Sequence, residues 1–387
     1  MADETPGPTI LPHDAPSPLD ELLREALQRG ATDVHVRAGD VMRARIDGEL
    51  AGVGAHIFSA DDMLAFVTRL RDSAPGEVPP IEHLRDLTLT WSVAGVGRFR
   101  ASLMKQRSTY MVLLRVIPHA VPSLVELRIP RELSATLDAP AGLVLLSGAS
   151  GSGRSTTLAS LLAHLNEHSE RRRHIVMIET KTRFLLKDKK CTITQREVGI
   201  DTDSIESALA AAIEHRSDVI ALDRVEISQL ESLIQAAEAG SLVIAKIDAH
   251  DVTDTLRHLV SGVTMTNQSA MRLRIAKAVR GILAHKLVPS LAGPRVLATE
   301  LFIGAPVLEQ MLLDAGAFLD IRAQLAKYRA ELGTHTFDQS LADLAIEGII
   351  GLDVATSLAV NPTEVRHQLR QQLEQRAFGA QGLGKQG

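Results

Sequence analysis

From Gly148 the chain reads Gly148-Ala149-Ser150-Gly151-Ser152-Gly153-Arg154-Ser155-Thr156, which fits the phosphate-binding loop GxxxxGK[ST] at every fixed position but one. Glycines let successive backbone N–H groups turn toward one anion, and the partial positive charge of a helix N-terminus adds to them. An anion can then be held with no side chain beyond Ser155. Turnover asks for more. In phosphoryl transfer a loop lysine follows the charge that builds on the β and γ oxygens, and a metal ion is held between the loop hydroxyl and an acid ending another strand. Here Arg154 stands where the lysine belongs. A guanidinium is cationic but planar, bulkier and geometrically fixed, so it does not inherit the place of a compact ammonium. The candidate nucleotide-binding residues are Gly148, Ser150, Gly151, Ser152, Gly153, Arg154, Ser155 and Thr156, with Ser155 also the candidate Mg²⁺ ligand.

Such a loop must lie between a strand and a helix. Leu143-Val144-Leu145-Leu146 reads as a buried strand, and Leu158, Leu161, Leu162 and Leu165 stripe one helix face after the loop. Further apolar runs at 175–179, 219–223 and 242–245 alternate with helical patterns, which predicts a parallel sheet covered on both faces over 131–305. Upstream, Ser17 is placed to cap a helix opening at Pro18, with Leu19, Leu22, Leu23, Ala26 and Leu27 at helical spacing and Gly30 ending it. Alternation at Val34 and Val36, Ala44 and Ile46, and Phe99 and Ala101 then predicts short strands, with Asp47-Gly48 as a hairpin turn. The expected organisation is a flexible arm (1–16) rich in proline, a small PAS-like α/β domain (17–117), a linker (118–130), a RecA-like P-loop domain (131–305), C-terminal helices (306–378) and a loose tail (379–387).

At 387 residues, with 45% hydrophobic and 23% charged side chains, the chain can bury more than one core. A net charge of −5 and 3% aromatic residues supply neither a basic field nor stacking platforms, which argues against nucleic acid as partner. Cys191 is the only cysteine, so an intrachain disulfide and a cysteine-built metal site are excluded, and a reducing compartment is expected. Neither a transmembrane segment nor an apolar leader is read, which predicts a cytoplasmic protein.

Several segments together resemble the type IV pilus retraction ATPases of the PilT/PilU type, within the secretion ATPase superfamily. They are Gly30-Ala31-Thr32-Asp33-Val34-His35, Arg98-Phe99-Arg100 with Gln106-Arg107, the glycine loop, and the run from Gln195 through Arg196, Glu197, Val198, Gly199, Ile200 and Asp201 to Thr202. Downstream come Ala236-Ala237-Glu238-Ala239-Gly240, the segment AVRGILAHKLVP beginning at Ala278, and Thr336-Phe337-Asp338-Gln339-Ser340-Leu341. The resemblance implies a hexameric ring of self or paralogous subunits, with ATP and Mg²⁺ between neighbours. It also implies a place at the pilus base, peripheral to the inner membrane and against the pilus inner-membrane platform. Arg100 and Arg115 match the family's phosphate-reaching arginines, and Arg107 is a third candidate.

The departures from that pattern are chemical. The acidic box IEDPIEF is matched by Ile178-Glu179-Thr180-Lys181-Thr182-Arg183-Phe184, which keeps one acid of three. Where the family ends its Walker B strand with Gly-Glu, this chain has Leu222-Asp223-Arg224. Asp223 either holds Mg²⁺ through water or caps the following helix. The segment GHLVxxTLH is matched from Gly240, with Ser241 and Asp248 in place of its histidines, and Ala210 and Glu214 replace two arginines. The candidate catalytic acids are therefore Glu179 and Asp223. Each missing electrostatic group costs about 10² to 10³ in rate, so the expectation is a nucleotide-binding ring subunit with impaired hydrolysis beside an active paralogue. The alternatives are a fully active motor and a noncatalytic scaffold. Arg171-Arg172-Arg173 reads as a solvated turn, and Cys191 as a packing residue.

Overall fold

The computed structural model describes residues 17–46, 48–74, 76–118, 120–261, 268–293, 295–313 and 321–370. The arm (1–16), the tail (379–387) and Asp47 of the hairpin turn lie outside the described residues. The chain divides into two compact units, residues 1–119 and 120–387.

In the first unit, helix α1 (Pro18–Gln28) opens as its sequence predicts. The Ser17 side chain accepts from the Asp20 N–H, Pro18 takes the first turn, and Leu19, Leu23 and Ala26 are buried. Strands β1 (Asp33–Arg37), β2 (Val41–Ile46) and β3 (Glu49–Ile57) follow, then α2 (Ala60–Asp72), β4 (Asp86–Val93), β5 (Gly97–Gln106) and β6 (Thr109–Ile117). The strands form one antiparallel sheet in the order β3-β2-β1-β6-β5-β4. Ile46 pairs with Glu49, so the β2–β3 connection is two residues long, and Gly48 at φ 88° supplies the left-handed backbone such a turn needs. One face is apolar, with Trp91 packed between Phe66 (5.5 Å) and Phe99 (6.0 Å). Helix α2 is fixed by a reciprocal cap, in which Ser59 Oγ accepts from the Asp62 N–H while the Asp62 carboxylate accepts from the Ser59 N–H. Ser59→Ala is expected to cost about 1 kcal/mol. Trp91 is the chain's single tryptophan, so its fluorescence follows the melting of this unit, and the midpoint should fall by about 4–8 °C. An unchanged midpoint would deny the cap its role.

The second unit begins with α3 (Arg131–Thr136), β7 (Gly142–Gly148), α4 (Arg154–His168), β8 (His174–Glu179), β9 (Thr192–Glu197), α5 (Ile205–Glu214) and β10 (Val219–Val225). It continues with α6 (Leu230–Glu238), β11 (Leu242–Ile247), α7 (Val252–Ser261), α8 (Gln268–Ala278), β12 (Val279–Val288) and β13 (Val296–Ile303). The sheet order is β13-β12-β7-β11-β10-β8-β9. All neighbours are parallel except β12 and β13. The four strands read from the sequence are parallel as expected, and the sheet gains an antiparallel edge at β13, because the connection after β12 is too short for a crossover and permits only an antiparallel return. Residues alternate between two cores. Val144, Leu146, Met177 and Ile244 pack with Leu158, Leu161, Leu162 and Leu165 of α4, whereas Leu143, Leu145, Ile178, Ile220 and Val243 face the helices on the other side. Burial on both faces explains why these strands read as unbroken apolar runs.

Beyond β13 lie α9 (Pro306–Leu313), α10 (Ile321–Lys327), α11 (Arg329–Leu332), α12 (Phe337–Ile346), α13 (Leu352–Leu358) and a helix over 362–370. Glu300, fully buried on β13, ties the helices down by accepting from the N–H groups of Val252 (3.0 Å) and Phe337 (3.3 Å). The arginine run is corrected at its last member. Arg173 is buried and donates to the carbonyls of Leu137 (2.7 Å) and Asp138 (3.0 Å), anchoring the turn rather than meeting solvent. Cys191 is buried in the α4 core. Among the described residues no helix is long and apolar enough to cross a membrane.

Candidate functional site

The glycine loop joins the end of β7 to the start of α4. Gly148, Gly151 and Gly153 have φ of 142°, 80° and 100°, backbone that glycine adopts without a Cβ cost, and the Ser152 N–H closes the turn on the Ala149 carbonyl at 3.2 Å. Ser150 and Gly151 are exposed, Ser152 is buried, and Arg154, Ser155 and Thr156 form the first turn of α4. The Oγ atoms of Ser152 and Ser147 are buried with no hydrogen-bond partner among the described residues. Such orphaned hydroxyls are costly unless a ligand completes them.

Arg154 does not point its cation into this loop. Nη1 donates to the Ile247 carbonyl at 2.5 Å, and Nη2 pairs with Asp248 Oδ1 at 2.6 Å, both at the end of β11. The Arg154 side chain is only 11% exposed while Asp248 is 68% exposed, so the arginine is held chiefly by its own burial and the Ile247 carbonyl, with a solvent-screened ion pair beside them. Two departures from the family pattern, the loop arginine and the aspartate in place of a histidine, thus meet as a pair.

A different cation reaches the loop. Lys246 on β11 donates from Nζ to Ser155 Oγ at 2.7 Å. Burial pushes its ammonium below the usual lysine range, partly offset by the attraction of Asp223. Sequence reading overlooked this residue, although a lysine inside Leu242-Val243-Ile244-Ala245-Lys246-Ile247, a strand buried at every position, was the available signal.

Glu179 ends β8 and is 1% exposed. Burial pushes its carboxyl up to about 8, helped by nearby Asp223, against the hydrogen bond from Gln195 Nε2 at 3.0 Å. The side chain therefore carries its proton at neutral pH. Asp223, one strand over on β10, accepts from the Thr180 N–H (3.1 Å) and Thr180 Oγ1 (3.1 Å). It closes the turn after β8 and caps no helix, since α6 is preceded by Gln229 at its N-cap. His285 on β12 is buried, with Nε2 3.0 Å from Thr157 Oγ1 and Nδ1 3.1 Å from the Ser147 carbonyl. It ties α4 to the end of β7, and burial pulls its pKa down to about 4, so the ring is neutral. A cleft of about 360 Å³ opens beside Ser150 and Gly151, with Lys286, Arg295, Arg322 and His250 on its walls.

A divalent ion carried by a nucleotide needs the Ser155 oxygen and at least one carboxylate near it. Here that oxygen faces an ammonium, Glu179 holds a proton, and Asp223 is engaged by Thr180. Among the described residues no three His, Cys, Asp or Glu side chains form a metal-holding group. The residues present do not fit Mg²⁺.

In the first unit, Arg100 on β5 and Arg115 on β6 are direct cross-strand neighbours, and Arg115 pairs in turn with Asp33 of β1. Arg115 Nε donates to Asp33 Oδ1 at 2.9 Å. Burial alone would raise the Asp33 carboxyl, but hydrogen bonds from Arg115 and Thr32 hold it below the usual range. These side chains share the sheet face opposite the apolar core. Arg107 is not with them. It takes φ 47° in the turn between β5 and β6, followed by Ser108 at 67°.

A family model described as "Type II/IV secretion system protein" matches residues 15–295. The chain is 28% identical over 348 residues to the type IV pilus retraction ATPase PilT of Pseudomonas aeruginosa, covering 89% of this chain and 98% of that protein. It is also 28% identical over 353 residues to the type IV pilus ATPase PilU of the same organism, covering 91% of each. Among solved structures, that of the pilus retraction motor PilT with bound ADP superposes with a TM-score of 0.76 at 28% identity, covering 90% of this chain and 99% of that one. The ATPase DotB of Legionella pneumophila shares the fold at a TM-score of 0.72 and 20% identity, over 91% and 97%. With a glycine loop between a parallel strand and its helix, and an antiparallel sheet unit before it, the chain belongs to the Type II/IV secretion system protein family, as a type IV pilus retraction ATPase relative of PilT and PilU.

Proposed function

We propose that this protein is a nucleotide-binding subunit of a pilus retraction ring whose own ATP hydrolysis is impaired, and that it acts beside an active paralogue. The observation that carries the reading is the commitment of Arg154. The loop keeps its anion-binding backbone, yet the residue in the lysine position spends two nitrogens on Ile247 and Asp248. Binding by backbone amides survives such a change, whereas following charge onto the transferred phosphoryl group does not. The proton on Glu179 removes a base from the same end of the sheet. A relative named as a pilus retraction ATPase and a solved pilus retraction motor with bound ADP support nucleotide binding, and the reading places this subunit in the cytoplasm at the pilus base, against the inner-membrane platform. The row of Arg100, Arg115 and Asp33 offers a charged face from which a neighbouring subunit's phosphates can be met.

The test pairs a fluorescent-ADP titration with phosphate release on one preparation of the full chain. The expected result is saturable binding with turnover at least about 10²-fold below the roughly 10 s⁻¹ ordinary for enzymes, and no further loss in Arg154→Ala. Turnover at an ordinary motor's rate, abolished by Arg154→Ala, would establish the fully active alternative instead. Absence of binding would leave a scaffold subunit.

A further inference from the structure

We infer that the Lys246 ammonium takes the place of the divalent cation at this phosphate loop, so that nucleoside di- and triphosphates bind here without Mg²⁺; this rests on the nucleotide-binding reading above. Lys246 is the one charged residue of β11, whose six positions are all buried. A lysine in an apolar parallel strand is expensive and is retained only where its charge is used. Its hydrogen bond goes to a neutral hydroxyl, Ser155 Oγ at 2.7 Å, and not to a carboxylate. That hydroxyl oxygen is the atom with which a P-loop ordinarily holds its metal ion. An ammonium donating to it occupies one of its two lone pairs and sets a positive charge 2.7 Å from the oxygen a metal would have to share.

The charge balance points the same way. The Arg154 guanidinium is compensated by Asp248. Glu179 carries its proton, and Asp223 attracts Lys246 across the strand end without a hydrogen bond to it, its oxygens being engaged by Thr180, so no carboxylate directly pairs the ammonium beside the loop. The orphaned Ser152 hydroxyl lies in the loop itself and is a polar group that a polyphosphate or its water shell would complete, whereas Ser147, also orphaned, is buried at the end of β7. A lysine on the neighbouring strand reaches the loop because β11 runs parallel to β7 in a register that sets Lys246 opposite Leu146, two residues before Gly148.

The experiment measures mant-ADP affinity on the full chain, once with excess EDTA and once with millimolar Mg²⁺. The two dissociation constants should agree within about twofold, and Lys246→Met should raise Kd at least about tenfold in EDTA. Methionine matches the stem in length and suits the apolar strand. Lys246→Gln keeps a donor for Ser155 without the charge and should show a comparable loss, so the inference can still be read if one variant folds poorly. Binding that requires Mg²⁺, or wild-type affinity in Lys246→Gln, overturns the inference while nucleotide binding stands. No binding in either buffer overturns both.

Discussion

Glu179→Gln is expected to stabilise the protein, and to do so more at pH 8 than at pH 6. The native carboxyl is pushed up to about 8 by burial, against an ordinary value of 4.5 in the unfolded chain. Between those values the folded state holds a proton that the unfolded state has released, so stability falls as pH rises through this window. Each pH unit is worth about 1.4 kcal/mol, so the native residue costs about 2 kcal/mol at pH 6 and about 4 kcal/mol near pH 8. Glutamine keeps the volume and can still accept from Gln195 Nε2, but has nothing to ionise. Urea midpoints of the two proteins should diverge with rising pH, the gap widening by on the order of 2 kcal/mol between pH 6 and 8. A constant gap, or a variant weaker at pH 8, would show that Glu179 is ionised in the folded state.

The second large effect is expected from Gly148→Ala. At φ 142° the backbone is one that residues with a Cβ rarely adopt, and an added Cβ would come 2.6 Å from Ser152 Oγ and 2.7 Å from the His285 carbonyl oxygen. The serine can rotate. The carbonyl cannot move, because His285 is in register with Gly148 across the β12–β7 pair and its ring is held by Thr157 and the Ser147 carbonyl. The strain therefore stays in the loop. A cost of about 2–4 kcal/mol is expected, with mant-ADP affinity lowered at least about tenfold. Gly151→Ala is the control, since Gly151 has φ 80° but nothing within 4 Å of the added Cβ, and its cost should be about 1 kcal/mol. Equal midpoints for the two variants would mean that the β12 backbone yields.

The glycine loop, the four central strands and the α4 stripe were legible locally, because period and punctuation depend on nearest neighbours in the chain. Strands β9, β12 and β13 were harder to read, since each mixes polar and apolar residues and owes its pairing to partners distant in sequence. Arg173 was misread for the same reason. Its acceptors, the carbonyls of Leu137 and Asp138, belong to the segment before β7 and cannot be seen from a run of three arginines.

By itself the order of residues determined that an anion-binding turn follows a buried strand, and that its lysine had become Arg154. Only the tertiary structure decided which cation serves that turn. Lys246 stands 91 residues from Ser155, and Ile247 stands 93 from Arg154. Parallel strands joined by crossovers bring together ends that are remote along the chain, and the register between β7 and β11, rather than any local pattern, sets one side chain at the loop hydroxyl and draws the other away.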